Sequence, residues 1–285
     1  MNFNICLLII GALDRSGQIS LNSMQVLPGR RICIAANSAG KEWLKEVANS
    51  NLVNQFCFHD GIVERFPLLD LSEKGNYSLY RSTDFRKLTL LKWDLLRDSI
   101  LKHIDSEIVL FSDLDILWLK DPMEEIKKLL NTTTSMVVQS DSSQERPGWS
   151  CTGIMAWMST EKNILEIENL RNLQLSQIKS GYFQDDEDTF NQYTGRPVVS
   201  LKFSRLPKEG FVVGKDFLKL VLKRQGFNLR TTFCFHANYL TGLNRKSESL
   251  HAVESLIKGT ALPVKEMVRF VMLPKIRRVT SKLRR

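Results

Sequence analysis

Short apolar segments alternate with amphipathic helical patterns through the first half of the chain, and this alternation constrains the fold more than any other feature. Continuous apolar runs of this length, ended by turn residues, are typical of buried strands. The predicted strands are Phe3–Ile10, Arg31–Ala36, Gln55–Phe58 and Glu107–Phe111. Helical patterns at 41–49 and 84–102 separate them. Strands joined by helices favour an α/β fold whose sheet is parallel in its first half.

The second half of the chain is less regular and predicts a mixed sheet with inserted loops. The predicted strands are Ser135–Gln139, Gly153–Met158, Val198–Leu201 and Phe233–His236. Helix starts are predicted at Asp121, followed by Pro122, and at Ser159. We therefore expect one α/β domain over residues 1–257, with a mixed, largely parallel central sheet flanked by helices. Ligands of such sheets bind beyond the carboxyl ends of the strands.

The positive charge of the chain is concentrated at its end. The 285 residues carry a formal net charge of +9, but residues 258–285 hold nine basic residues and one acidic residue. Residues 1–257 therefore hold 31 basic and 30 acidic residues. Ordinary proportions of apolar and charged residues exclude a disordered chain, a collagen-like fibre and a disulfide-stapled miniprotein. A nearly neutral globule gives little reason to expect nucleic acid as a partner.

Cysteine usage and hydropathy indicate a reducing, aqueous location. The five cysteines are scattered, odd in number and form no CxxC pair, so buried reduced thiols are expected. The N-terminal run MNFNICLLIIGALDRSG lacks a basic leading region and is too short to span a bilayer. We expect no signal peptide, no transmembrane segment and a cytoplasmic protein, with peripheral membrane contact left open.

Two carboxylates immediately after a buried strand are the main chemical signal. The strand Ile108–Phe111 leads directly to Asp113 and Asp115 within FSDLDILWLKDP. Residues i and i+2 of an extended chain point to the same side, so the two charges repel unless a cation lies between them. Carboxylate oxygens suit Mg²⁺ or Mn²⁺. A solvated turn explains most isolated DxD triplets, but the position after a buried strand favours a site.

Five segments, in this order along the chain, carry a resemblance to a known family. They are FRKLTLLKWDLL (85–96), FSDLDILWLKDP (111–122), CTGIMAW (151–157), FQDDEDTFNQY (183–193) and CFHANYLTG (234–242). Together they resemble the motifs of nucleotide-diphospho-sugar transferases with a GT-A fold, particularly the group with plant α-xylosyltransferases. The chain departs from the family pattern in two places: Glu187 stands where the family usually has glutamine, and Cys151 and Thr152 replace an asparagine-containing pair.

The resemblance implies a metal site and a donor site. Asp113, Asp115 and His236 would be the metal ligands, with Asp113 also contacting the donor, and this donor set favours Mn²⁺ over Mg²⁺. A core histidine is the other interpretation of His236. The donor-binding candidates also include Lys92, Gly153 and Lys246. Each has an alternative: a surface lysine for Lys92, a strand glycine for Gly153 and the neighbouring Arg245 in place of Lys246.

A second acidic cluster supplies the remaining site candidates. The resemblance favours Asp186 as the catalytic-site acid, which would hold sugar hydroxyls near the reacting carbon, and Asp185 is the second candidate. Glu187, Asn191 and Trp149 are candidates for acceptor or sugar contacts. The alternatives are a solvated helix start, where acidic residues favour the helix dipole, and simple packing of Trp149.

We therefore expect a metal-dependent glycosyltransferase. It would move a sugar from a nucleoside-diphosphate donor, with UDP favoured, to a hydroxyl of a glycan, lipid-linked saccharide or protein, and the resemblance implies retention of configuration. The alternatives are a catalytically silent binding protein with this fold or a membrane-tethered adaptor. A nucleotidyltransferase is less favoured, because GALDRSGQ is a poor phosphate loop.

The last 28 residues form a basic amphipathic tail at 258–285. Apolar residues recur at helical spacing, and basic residues occupy much of the remaining face. This composition is typical of a helix that lies on an anionic membrane surface. A terminal helix docked on the domain by the same apolar residues is the alternative. Nucleic-acid binding is disfavoured because aromatic residues are nearly absent from the tail.

Overall fold

The architecture was obtained as a computed structural model. It describes residues 3–10, 13, 15–27, 31–63, 83–102, 107–131, 133–141, 148–182, 184–197, 199, 201–214, 230–238 and 243–257. The predicted tail at 258–285 lies outside the described residues, so the boundary at residue 257 stays a prediction.

A seven-stranded mixed sheet forms the centre of the molecule, and a three-stranded sheet lies beside it. The described strands are β1 Phe3–Ile9, β2 Arg31–Ala36, β3 Phe56–Phe58, β4 Ile108–Ser112, β5 Ile116–Trp118, β6 Met136–Ser140, β7 Ser150–Met158, β8 Phe203–Leu206, β9 Phe211–Val213 and β10 Cys234–His236. The large sheet has the order β3-β2-β1-β4-β7-β6-β8. Strands β3, β2, β1 and β4 are parallel, β7 is antiparallel to β4 and β6, and β8 is parallel to β6.

Helices cover both faces of the large sheet, which is why its central strands are apolar on both sides. The described helices are α1 Arg15–Ser23, α2 Ser38–Val47, α3 Ser50–Val53, α4 Thr83–Lys102, α5 Met123–Leu129, α6 Glu161–Lys179, α7 Asp186–Thr194 and α8 Leu243–Ile257. One core lies between the sheet and α1, α2 and α5, and the other lies between the sheet and α4, α6 and α7. Inside the second core, Trp93 Nε1 donates a hydrogen bond of 2.6 Å to Gln174 Oε1.

The small sheet has the order β5-β10-β9. It brings β10 beside the segment that contains Asp113 and Asp115. Strand β5 begins at Ile116, directly after Asp115, and runs antiparallel to β10, with Ile116 opposite His236. The apolar side chains of this sheet pack against α1 and α8 through Ile19, Leu250 and Val253. This arrangement places the carboxyl end of β4 next to the end of β10.

The predicted α/β fold with a mixed, largely parallel sheet is confirmed, while three local predictions are wrong. Pro122, not Asp121, occupies the N-cap of α5, although the Asp121 carboxylate accepts a hydrogen bond of 2.9 Å from Met123 N. Thr160, not Ser159, caps α6. The strand predicted at 198–201 lies partly outside the described residues; 199 and 201, which are described, belong to no strand, and β8 follows at Phe203–Leu206, where it pairs with β6.

All five cysteines are free thiols, as predicted, and Cys57 is the one that is only half-buried. Cys6, Cys33 and Cys57 occupy matching positions on the neighbouring parallel strands β1, β2 and β3. Among the helices that the structure describes, none is both long enough and apolar enough to cross a membrane.

Candidate active site

Asp113 and Asp115 leave the large sheet at the carboxyl end of β4. Asp113 N donates a hydrogen bond of 2.8 Å to Gly153 O, which extends the antiparallel pairing of β4 with β7 by one residue. The carbonyl oxygen of Asp115 accepts a bond of 2.9 Å from Ala237 N, just after β10. The acidic pair is therefore fixed by both sheets, at the edge where ligands of α/β folds bind.

The two aspartates and His236 form a compact cluster. One ligand atom from each of these residues lies within 4.8 Å of the others. Asp115 and His236 are buried, and His236 Nε2 lies 3.1 Å from Asp115 Oδ1. The three residues that the sequence predicted as metal ligands are thus brought together from distant parts of the chain.

Gln139 sets the orientation of the histidine. Its amide Nε2 donates to Phe211 O at 3.3 Å, so its Oε1 faces His236 Nδ1 at 2.7 Å. Since a carboxamide oxygen only accepts hydrogen bonds, Nδ1 carries the proton and donates it. In the neutral imidazole, the lone pair of Nε2 then points toward Asp115, which is the arrangement of a metal-binding histidine.

The atoms of the cluster fit a divalent cation. Asp115 Oδ1 is buried and accepts no hydrogen bond from the part of the chain that the structure describes. It lies 3.1 Å from His236 Nε2, and in the neutral imidazole both atoms are acceptors, which a cation near both would stabilise. Two carboxylates and one imidazole are ligands that Mn²⁺ accepts readily.

Gly153 is a steric requirement of the cluster. A Cβ atom at this position would lie 2.2 Å from His236 Cε1 and 3.0 Å from Asp113 Oδ2. No side chain other than hydrogen fits there unless the histidine moves. The sequence predicted Gly153 as a donor contact, and the structure gives it a role in making room for the ligands.

Lys92 joins the first aspartate to the second acidic cluster. Its Nζ lies 3.0 Å from Asp113 Oδ1 and 2.7 Å from Asp186 Oδ2, and the side chain is buried. Burial alone would lower the pKa of Lys92, but the two carboxylates outweigh it and raise that pKa above its usual value. A charged ammonium group therefore lies between two acids of the site.

Lys246, on α8, is the counter-ion of Asp115. Its Nζ lies 2.5 Å from Asp115 Oδ2. Burial would raise the pKa of Asp115, but the charge of Lys246 is the strongest opposing cause, and that pKa is lowered below its usual value. Burial and the nearby Asp115 charge raise the pKa of Asp113, although Lys92 opposes them. The site is thus an alternation of acids and lysines in which Asp115 is the firmly ionised carboxylate.

Hydrogen bonds fasten the start of β7 to α7. Trp149 Nε1 donates to Glu187 Oε1 at 2.9 Å, and Thr152 Oγ1 donates to Asp186 Oδ2 at 2.6 Å. Asn191 both accepts from Ser150 N and donates to Ser150 O. These contacts hold the second acidic cluster beside β7, the strand that pairs with β4 and Asp113.

The members of that cluster have different surroundings. Asp185 is the N-cap of α7, and its carboxylate accepts a hydrogen bond of 2.9 Å from Asp188 N, but it is buried and not solvated as the helix-start alternative predicted. Burial and the charge of Asp186 raise the pKa of Asp185 to about 6. Asp186 binds Lys92 and Thr152 through Oδ2 alone, and Asn191 is occupied with backbone groups. Asp186 is therefore the acid of this cluster that lies nearest the Asp113 site.

Two residues of the site were missed from the sequence. Gln139 lies in the buried strand MVVQS, and a fully buried glutamine in an apolar strand was a usable signal. Thr152 belongs to the pair that departs from the family pattern, and its hydroxyl orients Asp186. Both residues orient other side chains of the site, and neither composition nor motif spacing reveals such a role.

Comparisons with solved structures show the fold. Mouse xyloside xylosyltransferase 1 aligns with 85 % of this chain and 99 % of its own, at 13 % identity and a TM-score of 0.52. The galactosyltransferase LgtC, solved with donor and acceptor sugar analogues, aligns with 87 % of this chain and 95 % of its own, at 11 % identity and a TM-score of 0.56. The glycosyltransferase GlyE of Streptococcus pneumoniae aligns with 92 % of this chain and 66 % of its own, at 13 % identity and a TM-score of 0.56. These are GT-A-type glycosyltransferases, so the expected fold family is confirmed.

The sequence itself identifies the family. No curated protein matches the chain at a significant level. The model of the nucleotide-diphospho-sugar transferases matches residues 54–250, which is more than half of the chain and contains every site residue described above. The chain therefore belongs to the nucleotide-diphospho-sugar transferase family, whose members are nucleotide-sugar-dependent glycosyltransferases.

Proposed function

We propose that this chain is a metal-dependent glycosyltransferase that moves a sugar from a UDP-sugar to a hydroxyl group of a glycan, lipid-linked saccharide or protein, with retention of configuration. The observation that carries the proposal is the pair of facing acceptors, His236 Nε2 and Asp115 Oδ1, beside Asp113. Within this family, such a cluster supports a cation that binds the donor diphosphate. Its two carboxylates and imidazole favour Mn²⁺ over Mg²⁺.

The chemistry of the transfer explains why the site needs positive charge. The bond between sugar C1 and the diphosphate oxygen breaks, and its electron pair stays on the diphosphate. A divalent cation held by Asp113, Asp115 and His236 would supply charge that stabilises this leaving group. Lys246 lies on the same side and supplies a second positive charge, for which the diphosphate competes with Asp115.

Asp186 is proposed to hold the sugar. Thr152 and Lys92 both bind Oδ2, so they fix the rotation of this carboxylate and keep it ionised. Within the described residues Oδ1 has no hydrogen-bond partner, and it is available to accept a bond from a sugar hydroxyl. Lys92 would then act as the counter-ion of Asp186 rather than as a surface lysine.

The structural neighbours suggest which donors to test first. One is a xyloside xylosyltransferase, and another is a galactosyltransferase solved with donor and acceptor sugar analogues. We therefore place UDP-xylose and UDP-galactose at the head of a donor screen, followed by other UDP- and GDP-sugars. Simple xylosides and galactosides are the first acceptors.

The test is nucleotide release by the purified chain, with and without Mn²⁺. We expect release that requires the metal and an acceptor, and that Asp115→Ala abolishes while the protein stays folded. Asp60→Ala, which removes an exposed acid paired with Lys41, is the matched control and should retain activity. Metal and nucleotide binding without turnover of any donor would favour the silent binding protein, and absence of both would refute the site.

The tail suggests where the reaction takes place. We propose that the basic residues of 258–285 attract the chain to an anionic membrane surface, each contributing about 1 kcal/mol. The test is flotation with vesicles that contain anionic lipid, comparing the full chain with a chain truncated after residue 257. Equal flotation of the two chains would refute the proposal, and loss of flotation only in the truncated chain would support it.

A further inference from the structure

Arg205 lies at the same edge of the large sheet as Asp113. Strands β4, β6 and β8 run in one direction, because β7 is antiparallel to both β4 and β6, and β8 is parallel to β6. The carboxyl ends of these three strands therefore meet at one edge, where ligands of α/β folds bind. Arg205 is the last residue but one of β8. Its place in the sheet is thus on the ligand-binding side.

The guanidinium group of Arg205 is held in place from two directions. Its Nε donates a hydrogen bond of 3.0 Å to Oγ of Ser150, the first residue of β7. Its central carbon lies 5.1 Å from the centre of the Phe203 ring, which is the distance of a cation resting on an aromatic face. The bond to Ser150 uses one of the five N–H donors of arginine. The four donors of the terminal nitrogens bind no group among the described residues.

The charge of Arg205 has no carboxylate partner in the part of the chain that the structure describes. Partial burial lowers the pKa of Arg205 below its usual value, and no acid opposes that effect, but an arginine stays charged at any ordinary pH. Lys92 and Lys246, by contrast, lie against aspartates of the site. Of these three described cations, Arg205 is therefore the one whose charge is available to a ligand.

Ser150 connects Arg205 to the residues predicted to contact the acceptor. Trp149 precedes Ser150, and Asn191 on α7 is hydrogen-bonded to both Ser150 N and Ser150 O. The chain then turns at Gly148, whose φ is 74°, and a Cβ atom there would lie 3.8 Å from Arg205 Nη2. Gly148 and Arg205 are both exposed, so a ligand can reach the terminal nitrogens from this side.

We propose that Arg205 selects an acceptor that carries a negatively charged group, a carboxylate or a phosphate, which the terminal nitrogens of the guanidinium bind. The proposal rests on the proposed transferase function and adds the chemical class of the acceptor. A guanidinium presents parallel N–H donors that match two oxygens of such a group. The charged group belongs to the acceptor because the diphosphate of the donor is assigned to the metal cluster and Lys246.

The first test measures acceptor binding without turnover. Methyl galactoside, methyl galacturonide and methyl galactoside 6-phosphate have the same ring and differ only at C6. In NMR titrations, the wild type should bind one or both of the charged glycosides about tenfold more tightly than the neutral one, as expected for charge-assisted hydrogen bonds. The gain should shrink as NaCl is raised, because salt screens exposed charges. Equal affinities, or no binding of either charged glycoside, would overturn the proposal, and the glycoside with the larger gain identifies the group.

Substitutions at two positions assign the preference to one side chain. Arg205→Gln should abolish the preference for the charged glycosides, and Arg205→Lys should keep part of it, because an ammonium has charge without the planar fork. Lys202→Gln is the control: it removes the same charge from an exposed residue just before β8 and should leave the preference intact. A preference that survives in Arg205→Gln would show that another group binds the anion.

The acceptor proposal and the transferase proposal fail in different ways. A charge preference that depends on Arg205, without nucleotide release from any donor, would support the anion site and refute the transferase function. Turnover in which the wild type uses the neutral and charged galactosides with equal kcat/KM would support the transferase function and overturn the role of Arg205.

Discussion

Replacing Gly153 with alanine puts a methyl group where the ring of His236 lies. The added Cβ would lie 2.2 Å from His236 Cε1, 2.9 Å from its Nε2 and 3.0 Å from Asp113 Oδ2. Carbon atoms that are not bonded prefer a separation of about 3.5–4.0 Å, so the ring must shift by more than about 1 Å or β7 must bend. The ring is buried and is held on its other nitrogen by Gln139, so neither movement is easy.

The expected magnitudes follow from this overlap. Overpacking of a close-packed interior costs about 1–3 kcal/mol, which corresponds to a fall in Tm of about 2–5 °C for a domain of this size. The effect on metal binding is larger, because ligand distances must stay within about 0.2 Å of their preferred values. Disturbing a residue that only orients a ligand costs about 10–100-fold in affinity, so displacement of the ligand itself should weaken Mn²⁺ binding by more than about 100-fold.

Calorimetry measures both effects. Titration of the metal-free wild type with MnCl₂ should give a binding isotherm, and a concentration about 100 times Kd should stabilise the fold by about 2.7 kcal/mol. Gly153→Ala should remain folded but lose this stabilisation. Gly17→Ala is the control, because its Cβ would meet Leu13 Cβ at 2.7 Å, outside the metal cluster. If Gly153→Ala binds Mn²⁺ as tightly as the wild type, the histidine is not a ligand and the proposed centre is wrong.

Three further predictions concern the neighbours of the cluster. Gln139→Leu leaves His236 Nδ1 without its acceptor, so Mn²⁺ affinity measured by titration should fall about 10–100-fold, whereas Gln139→Glu should retain most of it. Lys246→Met removes the counter-ion of Asp115, so the metal-free protein should melt at lower temperature. Mn²⁺ should then raise its Tm by more than it raises the Tm of the wild type. If Mn²⁺ raises both Tm values equally, the pairing of Lys246 with Asp115 is contradicted. Burial raises the pKa of Glu187 to about 8, so the contribution of its proton to the free energy of unfolding is complete below 4.5 and is lost as the pH rises from there to 8. Thermal melts over that range should therefore slope less for Glu187→Gln, and identical slopes would refute the raised pKa.

The large sheet was predictable because its strands are continuous apolar runs. β1, β2 and β4 lie within a residue or two of their predicted bounds, since burial on both faces leaves little choice of residue type. The small sheet was largely missed. β5 and β9 have three residues each, and so short a segment carries little periodicity, although β10, which is equally short, was predicted. Helix α1, RSGQISLNS, has a weak helical sequence and is packed against α8 and β5.

In the candidate site, too, features of adjacent residues were predictable, whereas contacts between residues far apart in the sequence were not. Asp113 and Asp115 were found from their place after a strand, because that relation lies within the printed sequence. Their proximity to His236 depends on the register of β10 against β5, which the sequence does not display. The contact of Gln139 with His236 Nδ1 is a second example, since the two residues are 97 positions apart. Tertiary pairing, rather than residue type, selects which polar groups meet.

The cluster of Asp113, Asp115 and His236 can form only after β10 has paired with β5 in the small sheet. Lys246 and Asp115 meet across 131 positions, and the chain between β5 and β10 must be closed before His236 reaches the aspartates. Closing a long segment adds little to the equilibrium cost, since each doubling of its length adds about 0.6 kcal/mol, but contacts of such separation form slowly. During synthesis, a chain that has not yet produced β10 contains the acidic pair without its histidine. The proposed metal site is therefore complete only once β10 has paired with β5.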